Sequence, residues 1–363
     1  MMRAEGSVGG RELGSIAVIG CITGGLFGFR PDRMFENGNT SYLVTALSAG
    51  IALVIASLIA NAMAATDSDN LGTLYRRAFG GLSFLAGLVT ALALLLSAVF
   101  PLVQLTDAMQ RFVYTESDAA MLVLYLLACV AVLSVMGLEV IGRTSVVFLP
   151  PVLLSVLAVL LVSAQSFDVL RLYPLFSGSF RSLLMQSVRD IPAFLSPMLA
   201  LLTVSRGGHG TAYTFRSGMR GFLVAAVLSA AMLIGLGMSY PAPMLADMRV
   251  PMYRMAMSVQ VGSAYQRLDK LLLHLWMLAA LLYAGFAAYA SALLYFDTTP
   301  IRDVRPIAAV FAGLTTCGVL YTLTREQVTD TLYSSIGDYL FLPLIMVPIA
   351  ACVLAAIRLR RYA

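Results

Sequence analysis

Charge is scarce in this sequence. Only 12% of its 363 residues are Asp, Glu, Lys or Arg, about half the share found in a soluble globular domain. Lysine occurs once, at Lys270, so the 24 basic residues are nearly all arginine. They stand singly or in short groups between apolar runs, which argues against a nucleic-acid partner. Histidine occurs twice and tryptophan once. Two distant histidines without clustered carboxylates offer no metal site, and no cofactor is expected. No G-x-S-x-G elbow or His/Asp constellation is present, so an enzyme is not expected. The four cysteines, Cys21, Cys129, Cys317 and Cys352, fall in apolar runs without a CxxC pair. They read as buried, inert thiols. No apolar core followed by a cleavage site stands in MMRAEGSVGGRELG, and no removable signal peptide is predicted. No Asp or Glu falls in the middle of an apolar run, which supports a binder or facilitator better than a proton-coupled pump.

What the chain has in excess is apolar length. Hydrophobic residues make up 60% of it and the mean hydropathy is +0.86. Ten apolar segments lie at about 13–29, 41–65, 80–105, 119–137, 145–166, 190–205, 218–240, 270–295, 306–324 and 336–357. A span of ~30 Å of hydrocarbon needs about 20 helical residues. The expectation is one all-α integral membrane domain of ten transmembrane helices. It divides into a first five-helix half (13–166) and a second (190–357).

Two segments fall short. The first is fenced by Glu12 and Arg30 and contains Gly24, Gly25 and Gly28; the sixth is fenced by Asp190 and Arg206 and contains Pro192 and Pro197. They lead the two halves. Five is odd, so equivalent helices run antiparallel, as in an inverted repeat. Matched Gly/Pro-interrupted segments of this kind point to a central solute site in transporter folds. Both are therefore expected to be broken helices whose freed backbone groups face a cavity. Close helix packing by Gly24 and Gly28, four apart, is the simpler alternative.

The candidate binding residues are Thr23, Gly24, Gly25 and Gly28 in the first segment and Asp190 and Ser196 in the sixth. Ser97 and Gln104, seven apart on one face of the third segment, and Tyr283 in the eighth complete the set. Tyr289 is six residues from Tyr283 and cannot share its direction. Glu139 and Arg143 are spaced to pair on one helical face and read as a structural clamp. Arg267 and Asp269, at the start of the eighth segment, read as an anchor or gate. His274, one turn further in, is an intramembrane ionisable group. His209 reads as a solvated loop residue. Residues 177–189 suit a short interfacial helix. Met244, Met248, Met252 and Met255 recur at helical spacing, in a hairpin split by Pro251. The N-terminal side would hold 13 basic residues and the other side 11, a weak bias toward cytoplasmic termini that the tail RLRRYA strengthens.

Three stretches carry a family resemblance. MGLEVIGRTSVVFLPPVLL, with Gly137, Glu139 and Arg143, resembles the G-x-E-x-x-x-R signature of bacterial spore-germination permeases, the B-subunit family of germinant receptors. LYPLFSGS, with Pro174 and Gly178, is similar to that family's Leu-x-Pro segment. YQRLDKLLLHLW keeps Arg267, Asp269 and Trp276 at the family spacing, with Gln266 where an acid is usual. The resemblance implies a LeuT-like fold of the amino acid–polyamine–organocation superfamily. It also implies residence in the inner membrane of a spore, assembly with A-type and C-type subunits, and binding of a small nutrient such as an amino acid to signal germination. An amino-acid transporter of the same superfamily is the alternative.

Overall fold

The computed structural model describes residues 8–28, 40–116, 118–173, 175–176, 179–246, 248, 250–257, 268–299, 303–323 and 339–362. Arg267, Gln266, Pro174 and Gly178 lie outside the described residues. Helices dominate them: α1 (Gly10–Ile22), α2 (Ser41–Ala65), α3 (Leu71–Phe79), α4 (Ser83–Phe112), α5 (Ala119–Met136), α6 (Leu138–Ser163), α7 (Phe180–Thr203), α8 (Thr211–Ser239), α9 (Ala242–Ala246), α10 (Pro251–Met257), α11 (Leu268–Thr298), α12 (Arg305–Leu323) and α13 (Phe341–Tyr362). Within the described residues, each of the ten apolar segments centres on one helix. Six stretches are long and apolar enough to cross a membrane: α2, α3 with α4, α6, α8, α11 and α12.

Local chemistry sets the boundaries. Asn70 caps α3, accepting from the Thr73 N–H at 2.9 Å while the Thr73 hydroxyl faces the Asn70 N–H at 3.2 Å. Such a reciprocal cap satisfies two donors that the first helical turn leaves free. Asp118 caps α5 through the Ala120 N–H, and Ser179 caps α7 through the Ser182 N–H. Between α5 and α6 stands Gly137 with φ of 88°, a backbone conformation that only glycine adopts without strain. It ends one span and begins the next within a single residue.

In lipid, helices gain nothing from hiding apolar side chains from one another, so close backbone approach holds them together. The contacts of α1 show this. A side chain at Gly20 would press on Pro197, and one at Gly24 would strike the backbone carbonyl of Ala193. The two pairs step in opposite directions along the chain, so α1 and α7 run antiparallel. A side chain at Gly221 of α8 would likewise meet the carbonyl of Gly14. Helix α11 is the most deeply buried of the long helices; its run AGFAAYASALL lets neighbours approach on all sides.

The expected breaks take a milder form. From Thr23 to Phe27 the first segment does not unwind but widens into a buried π-helical turn. Such turns are rare and often mark functional sites. The sixth segment is not broken either: α7 is continuous through Pro192 and Pro197. Proline removes one N–H and so frees the carbonyl four residues earlier. For Pro197 that is Ala193, whose oxygen occupies the space that the missing Gly24 side chain leaves. Gly24 therefore serves close packing, the simpler of the two expectations. Helix α7 also begins earlier than the apolar count implied. The stretch expected as an interfacial helix is its first turns, and Asp190 lies half-buried inside it rather than at its border.

One end of the bundle is closed by a seam around residues 66–70. The Asn70 amide donates to the buried Asp297 carboxylate at 2.6 Å. The hydroxyl of Ser205 donates to the Asp69 carbonyl at 2.5 Å, and that of Thr211 to the Ser68 carbonyl at 3.2 Å. On the same side, the Val8 N–H reaches the Gly207 carbonyl at 3.1 Å, and Arg358 donates to the Arg77 carbonyl at 3.0 Å.

At the opposite end, α9 and α10 form the methionine-bearing hairpin, with α10 starting at Pro251. Met252 and Met255 are buried and Met244 is exposed. Of the cysteines only Cys21 is buried as expected. Cys129 and Cys317 are exposed and Cys352 is intermediate, because their helices turn those faces outward, where an apolar run meets lipid rather than protein.

Candidate functional site

The centre of the molecule is a cluster of three hydroxyls from three helices. Tyr283 Oη lies 2.8 Å from Ser196 Oγ and 3.1 Å from Ser97 Oγ. All three residues are buried. Tyr283 stands fifteen residues from either end of α11, and Ser97 fourteen and fifteen residues from the ends of α4, so the cluster sits at mid-length of the two longest helices. Ser196 reaches it from α7, one residue before Pro197. Ser97 also donates to the Leu94 carbonyl at 2.6 Å, and Ser196 to the Pro192 carbonyl at 2.7 Å.

The π-helical turn borders this cluster. Gly20, one turn before it, sits against both Pro197 and the Tyr283 ring. Cys21 Sγ lies 3.9 Å from the Phe194 carbonyl. A side chain at Gly25 would come within 2.8 Å of the Phe194 ring and 2.9 Å of Ser229 Oγ on α8. Four buried hydroxyls among the described residues have no hydrogen-bond partner, those of Thr23, Thr106, Ser163 and Ser229, and Thr23 and Ser229 are the two beside this turn. A buried hydroxyl without a partner costs free energy, of the order of 1–3 kcal/mol. In membrane helices such groups usually bond back to their own helix, so two orphans beside one turn are unusual. Aromatic rings complete the wall. Phe27, the last π-helical residue, meets Trp276 with ring centroids 5.1 Å apart. The Trp276 indole donates to Ser155 Oγ at 3.0 Å, which ties α11 to α6.

The structure thus brings Thr23, Gly24, Gly25, Ser97, Ser196 and Tyr283 to one region. Gly28 closes the π-helical turn, its N–H on the Gly24 carbonyl at 3.0 Å. Gln104 shares the Ser97 face but is half-buried, about 10 Å further along α4. Asp190 is six residues before Ser196 on α7 and faces a different direction. Tyr289 turns elsewhere, its ring 3.7 Å from where a side chain at Gly137 would lie. Ser229, Trp276 and Phe27 complete the site without having been singled out as lining residues. For Ser229 the available signal was a lone hydroxyl in an otherwise apolar run.

The residues expected to gate or brace lie at the rims. Glu139 and Arg143 form their ion pair on α6 with the Arg143 side chain exposed and that of Glu139 partly so, a surface clamp. Asp269 accepts from the hydroxyl of the buried Tyr253 at 2.6 Å, which fixes α10 against the start of α11. His274 Nδ1 lies 2.6 Å from the Lys270 carbonyl, and a carbonyl can only accept, so Nδ1 carries the proton. Nε2 is then free to accept from Tyr114 at 3.0 Å. His274 is thus bonded at both nitrogens at the rim, away from the hydroxyl cluster. His209 is exposed, its ring edge-on to Tyr213. Among the described residues no group of three His, Cys, Asp or Glu is placed to hold a metal ion.

The fold has solved counterparts. A closed, bromovinylhydantoin-bound structure of MHP1, a nucleobase-cation-symport-1 family transporter, is similar over 98% of this chain and 93% of its own, with TM-score 0.67 and 15% identity. The manganese transporter of Eremococcus coleocola, in complex with an aromatic bis-isothiourea substituted compound, is similar over 96% of this chain and 76% of its own, with TM-score 0.59 and 13% identity. At such identities the likeness concerns architecture, which is the LeuT-like all-α fold expected from the sequence. No curated protein sequence matches the chain. The profile of the spore germination proteins, a permease family, matches residues 16–330. With that match across most of its length, the chain belongs to the spore germination protein family.

Proposed function

We propose that this chain is the solute-sensing, membrane-embedded subunit of a germinant receptor. In this reading it binds a small nutrient of amino-acid type near the middle of the bilayer and signals germination to A-type and C-type receptor subunits. The observation that carries the reading is the polar centre: a buried hydroxyl cluster beside a π-helical turn, with two orphan hydroxyls, where the first and sixth segments cross. A bilayer-spanning bundle does not bury hydroxyls at mid-depth without partners unless something else meets them. Membership of the spore germination family supplies the setting, a spore inner membrane. The exposed arginines Arg76, Arg77, Arg206, Arg216, Arg305 and Arg358 gather at the end where α1 begins and α13 finishes, and we assign that end to the cytoplasm. No catalytic role is proposed.

The test is a thermal-shift screen of the purified full-length protein against amino acids, sugars and nucleosides. A ligand of the native state raises the apparent melting temperature, by an amount that grows with the logarithm of its concentration over Kd. At least one amino acid should do so; stabilisation by sugars or nucleosides alone would overturn the amino-acid assignment. Likeness to a closed transporter over nearly the whole chain favours a second reading, amino-acid transport. Saturable binding without flux in proteoliposomes supports the sensor, and labelled solute accumulating inside the vesicles supports the transporter.

A further inference from the structure

The hydroxyl cluster is one proton short. Four oxygen–oxygen contacts link it: Ser97 to the Leu94 carbonyl, Ser196 to the Pro192 carbonyl, and Tyr283 to each serine. Three hydroxyls carry three protons. Whichever way they rotate, one contact holds two oxygens facing each other with no hydrogen between. If both serines donate to their carbonyls, Tyr283 can serve only one of them. If Ser97 donates to Tyr283 and Tyr283 to Ser196, the Leu94 carbonyl loses its hydroxyl donor. The shortage lies in a buried site at mid-length of α4 and α11, where two oxygens facing each other without a hydrogen repel with little screening.

A ligand that brings a donor relieves the shortage; one that brings only acceptors adds to it. We propose that the Ser97–Tyr283–Ser196 cluster is the subsite for the amino group of the solute. Its ammonium carries three donors and no acceptor, and a charge-assisted hydrogen bond is roughly twice as strong as a neutral one. The inference rests on the solute-binding reading above and names which end of the solute sits where. The rest of the solute extends toward the π-helical turn, where the hydroxyls of Thr23 and Ser229 each have a free proton and a free lone pair.

The experiment compares ligands and variants by thermal shift on the full-length protein. The probes are the amino acids that stabilise the wild type, with their desamino and 2-keto-acid counterparts, which bring no donor at that position. In wild type, each amino acid should bind at least about tenfold more tightly than either counterpart, the loss expected for one charge-assisted hydrogen bond. Tyr283→Phe leaves two contacts for two protons, which removes the shortage, and so does Ser97→Ala. Each variant should keep the gel-filtration profile of the wild type while the preference for the free amine falls to within about threefold, less than half of a tenfold step in free energy. Ser97→Ala is the smaller change and serves if Tyr283→Phe does not fold. Equal binding of the amine and its counterparts by wild type overturns the proposal, as does full preference in a folded variant. If nothing stabilises the wild type, the solute-binding reading itself fails, and that outcome is separate from a failure of the amine assignment.

Discussion

The central hydroxyl cluster and the seam at the cytoplasmically assigned end are built from similar residues and differ in how their hydrogen bonds close. In the seam each of these groups has a partner: the Asn70 amide meets a carboxylate, the Thr211 hydroxyl meets the Ser68 carbonyl, and the Ser205 hydroxyl is shared between the Asp69 and Leu202 carbonyls. At the centre, two hydroxyls beside the cluster, those of Thr23 and Ser229, stand unpartnered. Buried polar groups are normally satisfied. A satisfied network holds its elements in one arrangement, while an unsatisfied one is poised to accept something else. In the proposed reading, the seam holds its end of the bundle together and recognition falls to the centre.

The largest expected effect tests the frame that holds both. Gly24→Ala places a methyl group against the Ala193 backbone carbonyl. Backbone cannot rotate away as a side chain can, so α1 and α7 must separate. The cost should approach ~3 kcal/mol, the upper end of overpacking effects, and appear as a clear fall in melting temperature with loss of solute response. Wild-type stability in that variant would show that the crossing is looser than described. Next, Asp297→Ala removes the acceptor of the Asn70 amide and should cost about 2 kcal/mol. Its melting temperature should fall while the amine preference of any bound solute stays as in wild type; a changed preference would mean that seam and centre are not separable. Smallest is Arg143→Ala, which breaks an ion pair between an exposed arginine and a partly exposed glutamate. Its effect on stability should stay below about 0.5 kcal/mol, with unchanged ligand response, and it sets the baseline for the other two.

The membrane class was legible because hydropathy is a sum over twenty residues and survives local detail. The segment 41–65 agrees with α2 at both ends, and 119–137 with α5 to within one residue. Boundaries drifted where charge was taken as a fence. Asp190 closed the sixth segment on paper, yet α7 runs ten residues before it, since a half-buried charge fits within a helix when neighbours meet it. The glycine and proline signals correctly marked the crossing of the first and sixth segments. They did not reveal how the backbone responds, because a glycine that permits unwinding and one that permits contact look alike in sequence.

Composition and periodicity by themselves determined that the chain is an all-α membrane protein, where its helices lie, and that Ser97, Ser196 and Tyr283 deserved suspicion as hydroxyls in apolar surroundings. These properties are local, set by the side chain and its near neighbours. Only the tertiary structure decided that the three hydroxyls, 186 residues apart at their widest, share one cluster, that Ser229 joins the site from α8, and that Gly24 admits the carbonyl freed by Pro197. Those facts depend on which helices cross and at what depth, and lipid, being apolar itself, leaves that choice to backbone fit and hydrogen bonding between distant segments.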